Sequence, residues 1–500
     1  MLQTAICLEF VLRIPLLLAS AAVLTLAACG SGNPLDGNTG NSTAQSPQVS
    51  DKDLESQVTA ALEDAPTHGL TKDLFLKGGL PSDPAQRRGA LLGIAAAYAT
   101  ALAVGKVDPA RIRDVYTVPR AKADLSAGLA EALSKKRYRQ WVNSLAPQSA
   151  EYQALSKAFV ALVQRSPSLP DTGIPAGRII KRGSTDPRIP PIVRNLQQLG
   201  YLPASEQDGP ARTAGLATNR YTPAIAQAIA RFQADSGQKA DGTIGNATIA
   251  ALNASPRDRA RTLAVSMERL RWLDRSPPAT RVDVNIAATL LDYYRDGSHA
   301  DQRRVVVGQP GWETPQIGAP IFQLVANPSW TVPRSIETKE LSKKPGSYFA
   351  EQNIIRKNGR LVQEPGPKNA LGQVKFDMKD DQAIYLHDTP AKAMFQTDQR
   401  HESHGCIRVQ DALGFARALA AADGILPQFE KALASGKETF VALHTNIPVR
   451  LMYHTAYLGT DRRVHFAQDV YGWDNDVASA LGYPTKTPGR FRANSADVGP

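Results

Sequence analysis

The stretch HESHGCIRV, residues 401–409, sets Cys406 two positions after His404 and five after His401. His387, in YLHDTP, lies nineteen residues before the cysteine. A metal, a nucleophile or an inert buried thiol would each use some of these residues. Zinc accepts both imidazole and thiolate. A structural zinc would need a fourth ligand and usually more cysteines, and a catalytic one could work with three ligands and water. The spacing suits neither. In an extended segment His404, Cys406 and Arg408 share a face and His401 does not, so no metal is expected. An inert thiol is disfavoured because Ser403, Gly405, two histidines and Arg408 are poor core neighbours.

A nucleophile needs an ionised thiol, a proton acceptor and donors for an oxyanion. An adjacent imidazole serves the first two needs. Gly405 lets the backbone approach a substrate closely. The amides around Gly405 and Cys406 could then form an oxyanion site. The residues alone do not choose among His387, His401 and His404 as the base.

The whole chain narrows the setting. Its 500 residues suggest two to four domains, and 42% hydrophobic with 21% charged residues is ordinary for globular protein. A net charge of +11 favours anionic partners or an Arg-rich surface. No Lys/Arg stripe, zinc-finger or helix-turn-helix spacing points to nucleic acid. IPLLLASAAVLTLAAC, ending at Cys29, is short for a membrane span and reads as a secretion signal over 1–28. Leu26-Ala27-Ala28-Cys29 resembles a bacterial lipobox, which implies lipidation of Cys29 and a lipid anchor in the membrane. Residues 29–50 read as a Gly/Asn/Ser-rich flexible tether. With Cys7 removed and Cys29 acylated, Cys406 would be the one free thiol in an oxidising compartment. That liability calls for a function.

The expected architecture is multidomain. Residues 51–180 carry apolar residues at helical spacing and read as an all-helical scaffold. Residues 187–255 read as a small three-helix module, with Ile225, Ala228, Ile229 and Phe232 on its core face. From about 260 to 475 the period changes to strands rich in Val, Ile, Tyr and Phe. DALGFARALAAADG is one helix within that region. The charged, Gly/Pro-rich segment 335–368 reads as a capping loop, and 476–500 as a tail.

Two resemblances follow from these residues. Phe232, Gln233, Gly237, Asp241, Gly242, Gly245, Thr248 and Leu252 match the run of the type 1 peptidoglycan-binding domain. The segment PASEQDGPARTAGLATNR is an insertion relative to it. HDTP followed by SHGCIRV resembles the L,D-transpeptidase motif, and VVVGQPGWETP, ANPSWTVP and EPGPKNALGQVKF add to that likeness. The domain order resembles the large Gram-negative members.

That resemblance implies Cys406 as nucleophile, His387 as general acid/base and no cofactor. It implies that the backbone carbonyl of Asp388 orients His387, because the Asp388 side chain points to the other face. Ser403, His404 and Gly405 would support the oxyanion region, and Arg408 would pair with a substrate carboxylate. Trp330, Tyr385 and Phe376 read first as core, with Trp330 and Tyr385 kept as candidate substrate contacts. His401 is expected in a loop. The implied reaction is 3→3 cross-linking of peptidoglycan stem peptides with release of D-Ala, at a cysteine open to carbapenems. Alternatives are an L,D-carboxypeptidase, a lipoprotein-attaching transpeptidase and a non-catalytic wall-binding scaffold. The implied location is the periplasm, anchored more readily to the outer membrane. Cell-wall synthesis enzymes are possible partners.

Overall fold

A computed structural model describes residues 49–165, 173–203, 219–236, 238–397, 399–486 and 499. The signal segment, most of the tether with Cys29, and most of the insertion after Leu202 lie outside these residues. No described helix is long and apolar enough to cross a membrane.

The N-terminal region is helical. Asp51–Leu62 starts where the Ser50 hydroxyl accepts from the Asp53 amide at 3.1 Å. Pro84–Val104 starts where Asp83 accepts from the Gln86 amide at 2.9 Å, with proline in the first turn. Such caps satisfy amides that a helix leaves orphaned. Val58, Leu91, Tyr98, Leu102, Tyr138 and Leu155 form its core.

That core is not contiguous in sequence. The helix Pro256–Trp272 supplies Leu263, Met267 and Trp272 to it, and the C-terminal helix Asp474–Ala480 supplies Val477 and Ala478. Leu481 joins them. The expected boundary near 260 and the expected tail from 476 are therefore corrected. Pro256–Trp272 escapes a periodicity reading because its buried face carries charge. Arg269 meets Asp474 at 2.5 Å with both side chains 2% exposed. Arg271 meets Glu268 at 2.6 Å with both at 0%. Ser255 and Asp258 form a capping box at its start.

The second module packs Ile189–Gln198, Pro223–Asp235 and Asn246–Leu252 around Ile192, Leu196, Ile229 and Phe232. Its motif residue Gln233 is buried, accepts from the Gly242 amide at 2.9 Å and donates to the Thr243 carbonyl at 2.8 Å. Gln233 thus holds the turn rather than facing outward.

The C-terminal domain is mainly β. Its strands are β1 (Arg281–Asn285), β2 (Leu290–Arg295), β3 (Ser298–Gly308), β4 (Gly318–Ala326), β5 (Trp330–Thr331), β6 (Ile354–Lys357), β7 (Arg360–Gln363), β8 (Val374–Met378), β9 (Leu386–His387), β10 (His401–Ser403), β11 (Ile407–Val409) and β12 (Thr439–Met452). Nine of them form one sheet in the order β10-β3-β11-β9-β8-β4-β12-β1-β2, and β2 pairs back onto β3 to close it. The helix Ala412–Ala422 packs Phe415 and Leu419 into the core with Leu386, Ile407 and Val409.

The capping segment is folded, not a loop. β5, β7 and β6 make a small sheet, joined by helices Arg334–Lys339 and Gly346–Glu351. Trp330, Val332, Ile336, Leu341, Ile354, Leu361 and Leu371 form its own core. The unit therefore reaches beyond the expected bounds of 335–368.

Candidate active site

β9 and β11 run parallel, with Leu386 opposite Ile407 and His387 opposite Arg408. Side chains alternate across a strand. Leu386, Ile407 and Val409 enter the core, so Tyr385, His387, Cys406 and Arg408 lie on the other face. The motif histidine and cysteine, nineteen positions apart, thus sit on neighbouring chains of one face. The Ile407 amide donates to the Tyr385 carbonyl at 3.0 Å and brings Cys406 beside Tyr385.

His387 is 0% exposed. Its Nδ1–H donates to the Asp388 carbonyl at 2.5 Å. That bond leaves the Nε2 lone pair outward, and Nε2 is buried without a partner among the described residues. The Asp388 carboxylate turns away, accepting from the Gln373 amide at 3.0 Å and from Lys392. Burial, and then the Arg408 charge, hold the imidazole well below its ordinary pKa.

Cys406 is 6% exposed, and burial pushes its thiol up to about 11. Tyr385 beside the sulfur opposes that rise, and the thiol donates to the Ala383 carbonyl at 3.8 Å. Trp330, the other candidate substrate contact, is 2% exposed within the cap core. Phe376 is likewise core.

Ser403 ties the turn before the cysteine. Its hydroxyl donates to the Cys406 carbonyl at 2.6 Å and accepts from the Gly405 amide at 3.2 Å. The Gly405 amide is thereby occupied, which narrows the expected oxyanion pair. The Cys406 amide has no partner among the described residues. Gly405 itself has φ +115°, a conformation that side chains other than glycine's rarely adopt.

His404 faces two acceptors, the Gly499 carbonyl through Nδ1 and Glu340 of the cap through Nε2, both at 2.5 Å. Its ring stands edge-on to Trp312 with centroids 5.0 Å apart. Arg408 is buried, with Nη1 3.1 Å from the Met394 sulfur. His401 is a correction. It lies on β10, not in a loop, buried with its ring 5.5 Å from that of Tyr471, and burial pushes it down to about 3. The ligand atoms of His401, His404 and Cys406 do not gather into a metal-binding group among the described residues.

Residues 279–428 match the family described as "L,D-transpeptidase catalytic domain". Residues 50–159 match a "Scaffold domain" and residues 185–252 a "Putative peptidoglycan binding domain". A Haemophilus influenzae protein named "Putative L,D-transpeptidase" is 30% identical over 239 residues, which are 43% of this chain and 48% of that protein. The chain thus spans about half the length of that curated relative. Crystal structures of L,D-transpeptidases from Stackebrandtia nassauensis (14% identity, 56% of this chain and 96% of that one, TM-score 0.24) and Xylanimonas cellulosilytica (16%, 55% and 98%, 0.19) are similar too. The sequence matches and the sheet face described above agree: the chain carries an L,D-transpeptidase catalytic domain together with a helical scaffold and a peptidoglycan-binding domain.

Proposed function

We propose that the protein is a peptidoglycan transpeptidase that works through a Cys406 thioester and forms 3→3 cross-links. The observation that supports this reading best is the orphaned, buried Nε2 of His387 on the face that carries Cys406. Both groups are neutral at rest, because burial raises the thiol and lowers the imidazole. His387 takes the thiol proton as the sulfur attacks the carbonyl preceding the terminal D-Ala of a tetrapeptide stem. The same proton then goes to the departing D-Ala amine. A side-chain amine of a second stem attacks the thioester, His387 accepts its proton, and the free thiol returns. Tyr385 donates to the sulfur while it carries charge.

Arg408 pairs with a carboxylate of the substrate, and the cap shields the acyl-enzyme from water. The peptidoglycan-binding domain is consistent with peptidoglycan as the partner. The LAAC run supports export with a lipid on Cys29 and a periplasmic location, the outer membrane being favoured by Gly30 after the cysteine. The test is incubation with tetrapeptide muropeptides and mass spectrometry of the products. Cross-linked dimers that vanish with Cys406→Ala support the reading. Products that persist in that variant overturn it, and tripeptides alone reassign the acceptor to water.

A further inference from the structure

The connection between β3 and β4 carries Thr314, which is 0% exposed. Its hydroxyl donates to the Gly405 carbonyl at 2.7 Å and accepts from the Gly308 amide at 2.9 Å. With Gly308 as donor, the hydroxyl hydrogen has one direction left, towards Gly405. The Thr314 amide donates to the Tyr471 hydroxyl at 3.3 Å, and that hydroxyl donates to the Gly308 carbonyl. The fold-back is tight: a Cβ on Gly308 would stand 2.0 Å from the Trp312 carbonyl oxygen.

The Gly405 carbonyl and the Cys406 amide belong to one peptide plane. In a trans peptide they point in opposite directions. Thr314 holds the carbonyl end, so the Cys406 N–H is aimed away from Thr314. Glycine at 405 imposes little steric direction of its own, since its backbone turns freely. A hydrogen bond to the carbonyl also polarises the amide on the same plane.

We infer that Thr314, itself secured by Tyr471, is a positioning residue that aims the Cys406 amide at the oxyanion formed during acylation. The inference rests on the acyl-transfer reading above. Removing a direct oxyanion donor costs about 10²–10³ in rate, so loss of its anchor should cost about tenfold or more.

Two reactions of the same sulfur separate this role from mere packing. Acylation by a β-lactam develops an oxyanion, whereas alkylation by iodoacetamide does not. Thr314→Val should slow acylation about tenfold or more while alkylation keeps its wild-type rate. Thr314→Ser, which retains the hydroxyl, should restore acylation. Should the valine variant not fold, Tyr471→Phe should show the same split more weakly. Equal loss in both reactions, or no loss in either, overturns the inference. Wild-type protein that alkylates but never acylates would instead defeat the acyl-transfer reading.

Discussion

Glu340 of the cap accepts a hydrogen bond from Nε2 of His404, two residues before the cysteine, at 2.5 Å. Beside it Lys339 lies over the Trp312 ring, 4.4 Å from the centroid. These contacts fasten the cap to the turn that carries Cys406. A charge-assisted bond of this kind is worth about 1.5–3 kcal/mol. Glu340→Ala should therefore leave the cap open about tenfold more often, since about 1.4 kcal/mol is tenfold. The ratio of hydrolysed to cross-linked product should rise, and removing the cap should raise it further. Muropeptide analysis reads the ratio; an unchanged value in both variants would refute a water-excluding cap.

The His387 imidazole is the proton carrier in the proposed cycle. His387→Ala should slow β-lactam acylation about 10²–10⁴-fold, the usual worth of a general base. Stopped-flow absorbance on the intact protein measures it. A loss smaller than tenfold would move the role to another group.

The resting thiol gives a pH signature. Burial lifts the Cys406 thiol from 9.0 to about 11, so the thiol form persists through neutral pH. Its alkylation by iodoacetamide should keep accelerating as pH rises past 9, without a plateau near neutrality. A plateau already reached by neutral pH, as a preformed thiolate–imidazolium pair would give (about 3.5–7.5 for activated thiols), would contradict the neutral resting state.

A stability prediction concerns the buried acid of the Pro256–Trp272 helix. Glu268 accepts from Arg271 and, at 2.7 Å, from the Val107 amide. Arg271 also donates to the His68 carbonyl at 2.9 Å and the Tyr152 hydroxyl at 2.8 Å. Glu268→Ala strands a buried guanidinium, which costs about 3–5 kcal/mol. Thermal unfolding of the full chain should show a large drop in midpoint; a midpoint near wild type would mean that Arg271 finds another acceptor.

The candidate site was legible where it is local. Cys406, His387 and the strands around them carry type and spacing in a few residues. The three-helix module was equally readable, since Phe232 and its helical neighbours face inward together. What escaped is set by distance in sequence. Arg269 is a polar residue until Asp474 reaches it, so a helix with charges on its buried face looked like a boundary. His401 looked like a loop residue because its ring partner, Tyr471, lies far along the chain. Thr314 gave no signal: one hydroxyl in GWETP means nothing until Gly405 and Gly308 close on it. The cap looked like a loop in composition because its core is split between Trp330 at one end and Leu371 at the other.

The helix that leads into the catalytic domain and the helix that leaves it both end in the N-terminal core. Helices made first by the ribosome therefore lack part of their interior until Leu481 has been made. The segment from Asp474 to Leu481 is thus the closing stitch of a core begun by the first helix. A version cut before residue 474 would lose more than its end: Leu263, Met267 and Trp272 would lose packing partners.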